Sequence, residues 1–258
     1  MTLDRWVPFR NHGAVVRCRL FCFPHAAGNA AFYRPLRQLM PPQIDLCPVE
    51  LPGRAARLDE PPLTSMSALM EELSQVLRPL MDVPFGFFGH SVGAWTAYEA
   101  ARQLRSPDGR TAAHLFVSGR GCPHRARIGP LRPARLRSER ELLAILGGFG
   151  GTPTPVMQRP ELVAALLPAL RADLALAEGY TAEPGGHLAC PITAFGGADE
   201  FPDSGLLETW RDFSGGKFRT RIFPGGHFYF SPAPHALAEE IIQDLHACES
   251  MAGAGSQT

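Results

Sequence analysis

Lysine is almost absent from this 258-residue chain: of its 25 basic residues only Lys217 is a lysine, and the rest are arginines. Net charge is absent too, because 25 carboxylates match the 25 cations. A nucleic-acid-binding domain normally carries a basic excess, so the balance argues against a nucleic-acid partner. No uninterrupted apolar run reaches the roughly 18 residues of a membrane span, and no membrane partner is expected. The N-terminal MTLDRWVPFR has neither an apolar h-region nor a small-residue cleavage site, so a secretory leader is not expected. None of Cys18, Cys22, Cys47, Cys122, Cys190 and Cys248 forms a CxxC pair. Without a leader these thiols are expected to be reduced and structural. No HExxH or similar ligand spacing occurs, so neither a metal nor a cofactor is expected. These absences point to a cytoplasmic globular protein.

What is present is an alternation of strand-like and helix-like segments. Apolar residues make up 45% of the chain, enough to bury a full core. Residues Ala14–Phe23, Ile44–Glu50, Phe85–Gly89, Ala112–Ser118, Pro191–Phe195 and Phe218–Phe223 read as strands. Helices are predicted over Ala30–Met40, Ser65–Met81, Val92–Leu104, Ser204–Phe213 and Pro234–Ala247. This order predicts an α/β fold with a mostly parallel central sheet and helices on both faces. The rhythm breaks between about residues 121 and 186, where no strand is evident. Helical patterns near Ser138–Leu146 and Pro160–Glu178 flank the glycine-rich GGFGGTPTP. An insertion of that length suggests a helical lid over the sheet. One domain is expected over residues 1–250, with a disordered tail at 251–258.

The strand at Phe85–Gly89 runs into Gly89-His90-Ser91-Val92-Gly93, which fits GxSxG. The pattern alone is weak, but its place between an apolar strand and a helix is what a nucleophilic serine needs. A sharp strand-to-helix turn lifts Ser91 clear of the backbone. The N-terminus of the following helix offers N–H groups to developing negative charge. A hydroxyl needs a base to take its proton. Two histidines share the tetrapeptide PGGH, His187 and His227. Only His227 follows the last strand, where the base of such a fold belongs, whereas His187 leads out of the insertion. His90 is expected to lie buried beside the turn. The base needs an acid to hold its tautomer, and Asp199, just past the strand Pro191–Phe195, is the first choice. Glu200 and Asp203 are its nearest competitors. The oxyanion donors are expected to be the backbone N–H groups of Val92 and of Ala26, with Ala27 close behind.

With Ser91, Asp199 and His227 in these positions, the chain resembles the α/β-hydrolases. More narrowly, it resembles the type II thioesterases that accompany polyketide and nonribosomal peptide synthases. The resembling segments are FCFPHAAGNAAFYRPL, VELPGRAARLDEPPL, FGFFGHSVGAWTAYEAARQL, ELLAILGGFGGTP, LLPALRADLALAEGY, CPITAFGGADE and FPGGHFYF. They span nearly the whole chain. HAAGNA stands where that family more often has HAGGSA, GHSVG where GHSMG is commoner, and Trp95 is bulkier than usual at its position. The resemblance implies hydrolysis of acyl thioesters on the phosphopantetheine arm of an acyl or peptidyl carrier protein, through an acyl-enzyme on Ser91.

From Arg120 to Arg140 there are seven arginines and a single acid, Glu139. Carrier proteins of these pathways are, by the same resemblance, acidic. Arg132 and Arg135 are therefore docking candidates, and a merely solvated face is the competing reading. Leu142, Leu143, Leu146, Phe149, Leu166, Leu167 and Leu170 could line an acyl channel or pack beneath the lid. Two other readings of the chain are an esterase or acyltransferase acting on a free small molecule, and a hydrolase-like binding protein without chemistry.

Overall fold

The computed structural model describes residues 2–11, 15–124, 133–148, 150–152, 154–182 and 187–254. The described elements in chain order are α1 (Leu3–Trp6), β1 (Cys18–Phe23), α2 (Arg34–Gln38), β2 (Ile44–Pro48), α3 (Met66–Leu77), β3 (Phe85–His90), α4 (Val92–Gln103), β4 (His114–Ser118), α5 (Glu139–Gly148), α6 (Thr154–Met157), α7 (Pro160–Gly179), β5 (Ile192–Gly197), α8 (Gly205–Glu208), β6 (Phe218–Phe223) and α9 (His235–Ala254). Short 3-10 turns fill several of the gaps. The six strands form one sheet in the order β2-β1-β3-β4-β5-β6, and every neighbouring pair is parallel.

Alternation along the strands builds two cores. Phe21, Phe23, Phe87, Leu115, Val117, Ile192 and Ala194 face one side, with α3 and α4. Leu20, Cys22, Phe88, Phe116 and Phe195 face the other, with α2 and α9. A strand buried on both faces is largely apolar, which is why FGFFG reads as a continuous apolar run and only the ends of HLFVS, His114 and Ser118, are polar and hydrogen-bonded. The edge strand β6 is only partly buried, and its Arg219 and Arg221 pair with Glu240 and Asp244 of α9. Charges on an edge strand discourage pairing with another chain.

Three elements differ from expectation. The predicted helices Ala30–Met40 and Ser204–Phe213 each divide into a 3-10 turn and a short α-helix. The last helix continues to Ala254, taking in the first four residues of the expected disordered tail. The remaining tail residues, 255–258, lie outside the described residues. The cysteines Cys18, Cys22, Cys47, Cys122 and Cys190 are buried. No described helix is long and apolar enough to cross a membrane.

All strands run parallel, so their C-terminal ends share one edge, where ligands bind in open α/β sheets. Between β4 and β5 the described residues of the insertion hold α5, α6 and α7 and no strand. Its apolar residues Leu142, Leu146, Val163, Leu167, Leu170 and Leu174 form a third core with Ala27, which belongs to the loop after β1.

Close approach of α4 to β1 depends on Gly93. A Cβ there would collide with the Phe23 carbonyl and would lie 2.6 Å from the Pro24 carbonyl oxygen. Overpacking of this kind costs about 1–3 kcal/mol. Gly93→Ala should therefore lower the melting temperature by about 4 °C or more in calorimetry. Gly148→Ala, where a Cβ meets open space, should change it little.

Candidate active site

Ser91 sits at the turn between β3 and α4 with φ 57° and ψ −119°, a conformation that L-residues avoid. Its N–H donates to the Ser118 carbonyl at 2.8 Å, and its own carbonyl accepts from Ala94 N–H at 3.0 Å. A Cβ on Gly89 would strike the Gly93 carbonyl, so the first glycine is needed for the chain to turn this tightly. The turn thus holds the serine by backbone bonds alone, and its side chain lines a cavity.

His227 lines the same cavity from the loop after β6. Its Nδ1 donates to Glu200 Oε2 at 2.7 Å. Asp199, the expected partner, is not there. Its side chain is exposed and forms no hydrogen bond or ion pair among the described residues. The cause is the turn that follows β5. Asp199 N–H donates to the Gly225 carbonyl at 3.0 Å, and Glu200 N–H to the Gly197 carbonyl at 3.1 Å. Adjacent side chains diverge at such a turn, and only the glutamate faces the histidine. Asp203 instead caps its own loop, accepting from Gly205 N–H at 3.1 Å. With Nδ1 committed to a carboxylate, Nε2 is the nitrogen suited to proton exchange with Ser91.

Two further histidines surround this one. His90 is fully buried beneath the turn, as expected, with Nδ1 2.9 Å from Ser118 Oγ. Ser118 Oγ lies 2.9 Å from the Tyr229 hydroxyl. The His90 and His227 rings are 4.8 Å apart. Burial, reinforced by the nearby His227, holds the His90 imidazole well below its ordinary range. His25, which lines the cavity, is pushed down to about 3 by burial, then by His227 and Arg54. Both rings are therefore neutral at physiological pH, and His227 can gain a proton without a charged imidazole beside it. His187, the other PGGH histidine, lines a separate surface hollow with Arg102 and Arg105.

The loop after β1 resolves the choice between Ala26 and Ala27. Ala27, at φ 59°, donates its N–H to Asp173 Oδ2 at 2.8 Å, so that group is already used. Ala26 and Val92 both line the cavity. Val92 opens α4, where the first N–H groups have no partner within the helix. Asp173 belongs to α7 and is buried. It also receives Arg54 through both guanidinium nitrogens, each at 2.8 Å, while Arg54 Nη1 lies 3.1 Å from the Gly28 carbonyl. One buried ion pair therefore joins the insertion, the loop after β2 and the loop after β1.

The cavity has about 780 Å³ of empty space, its open mouth included. Its floor carries Ser91, Val92 and His227, and Ile145, Leu146, Leu170 and Leu174 supply apolar wall from the insertion. Of the expected channel residues, Leu146 and Leu170 line it. Leu142 and Leu167 pack beneath α5 and α7, Leu143 is exposed, and Phe149 lies outside the described residues. The arginine-rich run divides. Arg135 and Arg140 face outward, and Arg132 lies outside the described residues. Arg120 and Arg137 turn inward and line the cavity, a placement that charge counting along the chain could not reveal.

Glu200→Gln should lower kcat by about 10³-fold or more, because an amide favours the wrong tautomer of the base. Asp199→Asn should change it less than about threefold, because nothing in the site touches that side chain. Steady-state kinetics on a chromogenic thioester separates the two. Asp173→Asn should cost about 3–5 kcal/mol by leaving Arg54 buried and unpaired. The double variant Arg54→Met/Asp173→Leu should regain most of the melting temperature while kcat stays low, since Ala27 N–H still lacks its acceptor.

Residues 18–247 match the thioesterase domain family. The gramicidin S biosynthesis protein GrsT of Aneurinibacillus migulanus is 33% identical over 94% of this chain and 94% of its own length. Thioesterase PikA5 of Streptomyces venezuelae is 36% identical over 88% of this chain and 80% of its own length. Among solved structures, the type II thioesterase BorB from the borrelidin biosynthetic cluster superposes with a TM-score of 0.83 at 36% identity, covering 95% of this chain and 99% of that one. Serine turn, histidine and carboxylate thus sit on a scaffold shared along almost its whole length, and the chain belongs to the thioesterase domain family, as an α/β-hydrolase that acts on thioesters.

Proposed function

We propose that this thioesterase hydrolyses acyl groups from the phosphopantetheine arm of an acyl or peptidyl carrier protein, editing or unblocking a polyketide or nonribosomal peptide synthase in the cytoplasm. The observation that carries the reading is a single cavity holding Ser91 and His227 on its floor, with apolar wall drawn from an inserted helical layer. The catalytic triad is Ser91, His227 and Glu200, and Asp199 is replaced in that role by its neighbour. Ser91 Oγ attacks the thioester carbonyl as His227 Nε2 takes its proton. The oxyanion that forms is stabilised by the N–H groups of Ala26 and Val92. His227 returns the proton to the departing pantetheine sulfur, and Ser91 carries the acyl group as an ester. Water then loses a proton to His227 and attacks that ester, and the free acid and the serine hydroxyl are regenerated. Glu200 stabilises the imidazolium formed in both halves, and each step uses only the chain's own side chains and backbone.

In this reading the insertion is a lid. Its outward Arg135, with Arg132 nearby in sequence, docks the acidic carrier near the pantetheine entrance. The alternative is an esterase or acyltransferase acting on a free small molecule with the same three residues, and substrate comparison distinguishes them. The enzyme should cleave an acyl thioester on a carrier protein faster than the oxygen ester of the same acyl group. It should also lose labelling by a fluorophosphonate in Ser91→Ala. Arg132→Glu/Arg135→Glu should slow hydrolysis of the carrier-bound thioester while sparing a free pantetheine thioester. An equal fall on both substrates, or none on either, removes docking at that face.

A further inference from the structure

Two cationic side chains in the cavity wall are left without use by the mechanism. Arg120 follows β4 and enters from the sheet side, and Arg137 enters from the insertion. Both are firmly held. The Arg120 guanidinium stacks 4.3 Å from the Trp95 ring centroid. The backbone around it is pinned by two indoles: Trp95 Nε1 donates to the Gly121 carbonyl at 2.9 Å, and Trp210 Nε1 to the Arg120 carbonyl at 2.7 Å. Arg137 is only 4% exposed and pairs through Nη2 with Glu178 at 2.5 Å. Glu178 also accepts from Ala134 N–H at 2.7 Å, which fixes it in turn.

Other nitrogens of the two side chains have no such partners. Nε and Nη2 of Arg120, and Nε and Nη1 of Arg137, are buried without a hydrogen bond among the described residues. Buried donors are normally satisfied, and leaving one unpaired costs about 1–3 kcal/mol, more when it is charged. Burial lowers Arg120 to about 10, with nearby Glu200 opposing the shift, so the group is still a cation at neutral pH. A guanidinium has donors only, so the missing partner must be an acceptor. Apart from Thr152, His25 and His227, the rest of the wall facing the serine is largely apolar.

We infer that Arg120 and Arg137 form a subsite for an acceptor oxygen on the acyl chain, a keto or carboxylate oxygen lying beyond the thioester carbonyl. Oxygenated acyl groups, rather than plain alkyl ones, are then the preferred substrates. The inference rests on the proposed thioester hydrolysis and names the substrate class for that same cavity. Trp95 is the platform that presents Arg120.

The test compares matched chains on the same pantetheine thioester: butanoyl with 3-oxobutanoyl, and propanoyl with malonyl. The wild-type enzyme should favour the oxygenated member of at least one pair by about tenfold or more in kcat/KM, the scale of a hydrogen bond to a charged group. Preference in the malonyl pair alone marks a carboxylate subsite, and preference in the 3-oxobutanoyl pair marks a neutral carbonyl. Arg120→Met and Arg137→Gln should each reduce that ratio severalfold, whatever they do to absolute rates. Equal or faster wild-type hydrolysis of both alkyl chains overturns the inference without needing a variant. So does a ratio that neither substitution moves. Absence of turnover on all four thioesters, with an oxygen ester still cleaved, strikes the proposed function instead.

Discussion

The buried pair between Arg54 and Asp173 ties together parts of the chain that are distant in sequence, and the site depends on it. Arg54 comes from the loop after β2, and Asp173 from the long helix of the insertion, 119 residues later. The same carboxylate accepts the N–H of Ala27, beside the expected oxyanion donor. Two charges taken out of water are expensive unless their geometry and their remaining hydrogen bonds are good. Here both guanidinium nitrogens meet both carboxylate oxygens, and the Gly28 carbonyl takes another contact. The arrangement makes the position of the insertion and the shape of the oxyanion loop a single structural fact. The apolar contacts of Ala27 with Leu142, Leu146 and Leu170 act in the same direction, without the directionality of the ion pair.

Around that junction the site sorts charge by burial. His25 and His90 are kept neutral by desolvation, so no charged imidazole stands beside His227. Glu200 meets His227 at the partly open side of the site. Arg120 lies near enough to Glu200 to feel its charge, yet it spends its face on Trp95. Cation and carboxylate thus occupy neighbouring positions without forming an ion pair that would draw the glutamate away from the histidine.

Much of this was legible along the chain. The strand–helix alternation announced the parallel sheet because a strand buried on both faces is largely apolar. The glycines at 89 and 93 announced the serine turn because only their missing Cβ atoms allow it. PGGH after the last strand identified His227 by order alone. The choice between Asp199 and Glu200 was not legible. The two are adjacent, both are acids, and a turn of the backbone after β5 decides which one faces the ring. The division of the arginine-rich run was not legible for a related reason: a one-dimensional charge count cannot distinguish a side chain that points to solvent from one that enters a cavity.

By itself, then, the sequence determined the fold and marked Ser91 and His227 as candidates, because periodicity, glycine positions and the order of motifs are local or sequential properties. The tertiary structure decided which carboxylate meets His227, that the Ala27 N–H rather than that of Ala26 is bound to Asp173, and the inward turn of Arg120 and Arg137. Each of those depends on where a side chain or N–H group points after the chain has closed on itself. Direction in space is set by packing and by hydrogen bonds between segments far apart in the chain, and spacing along the sequence carries no record of it.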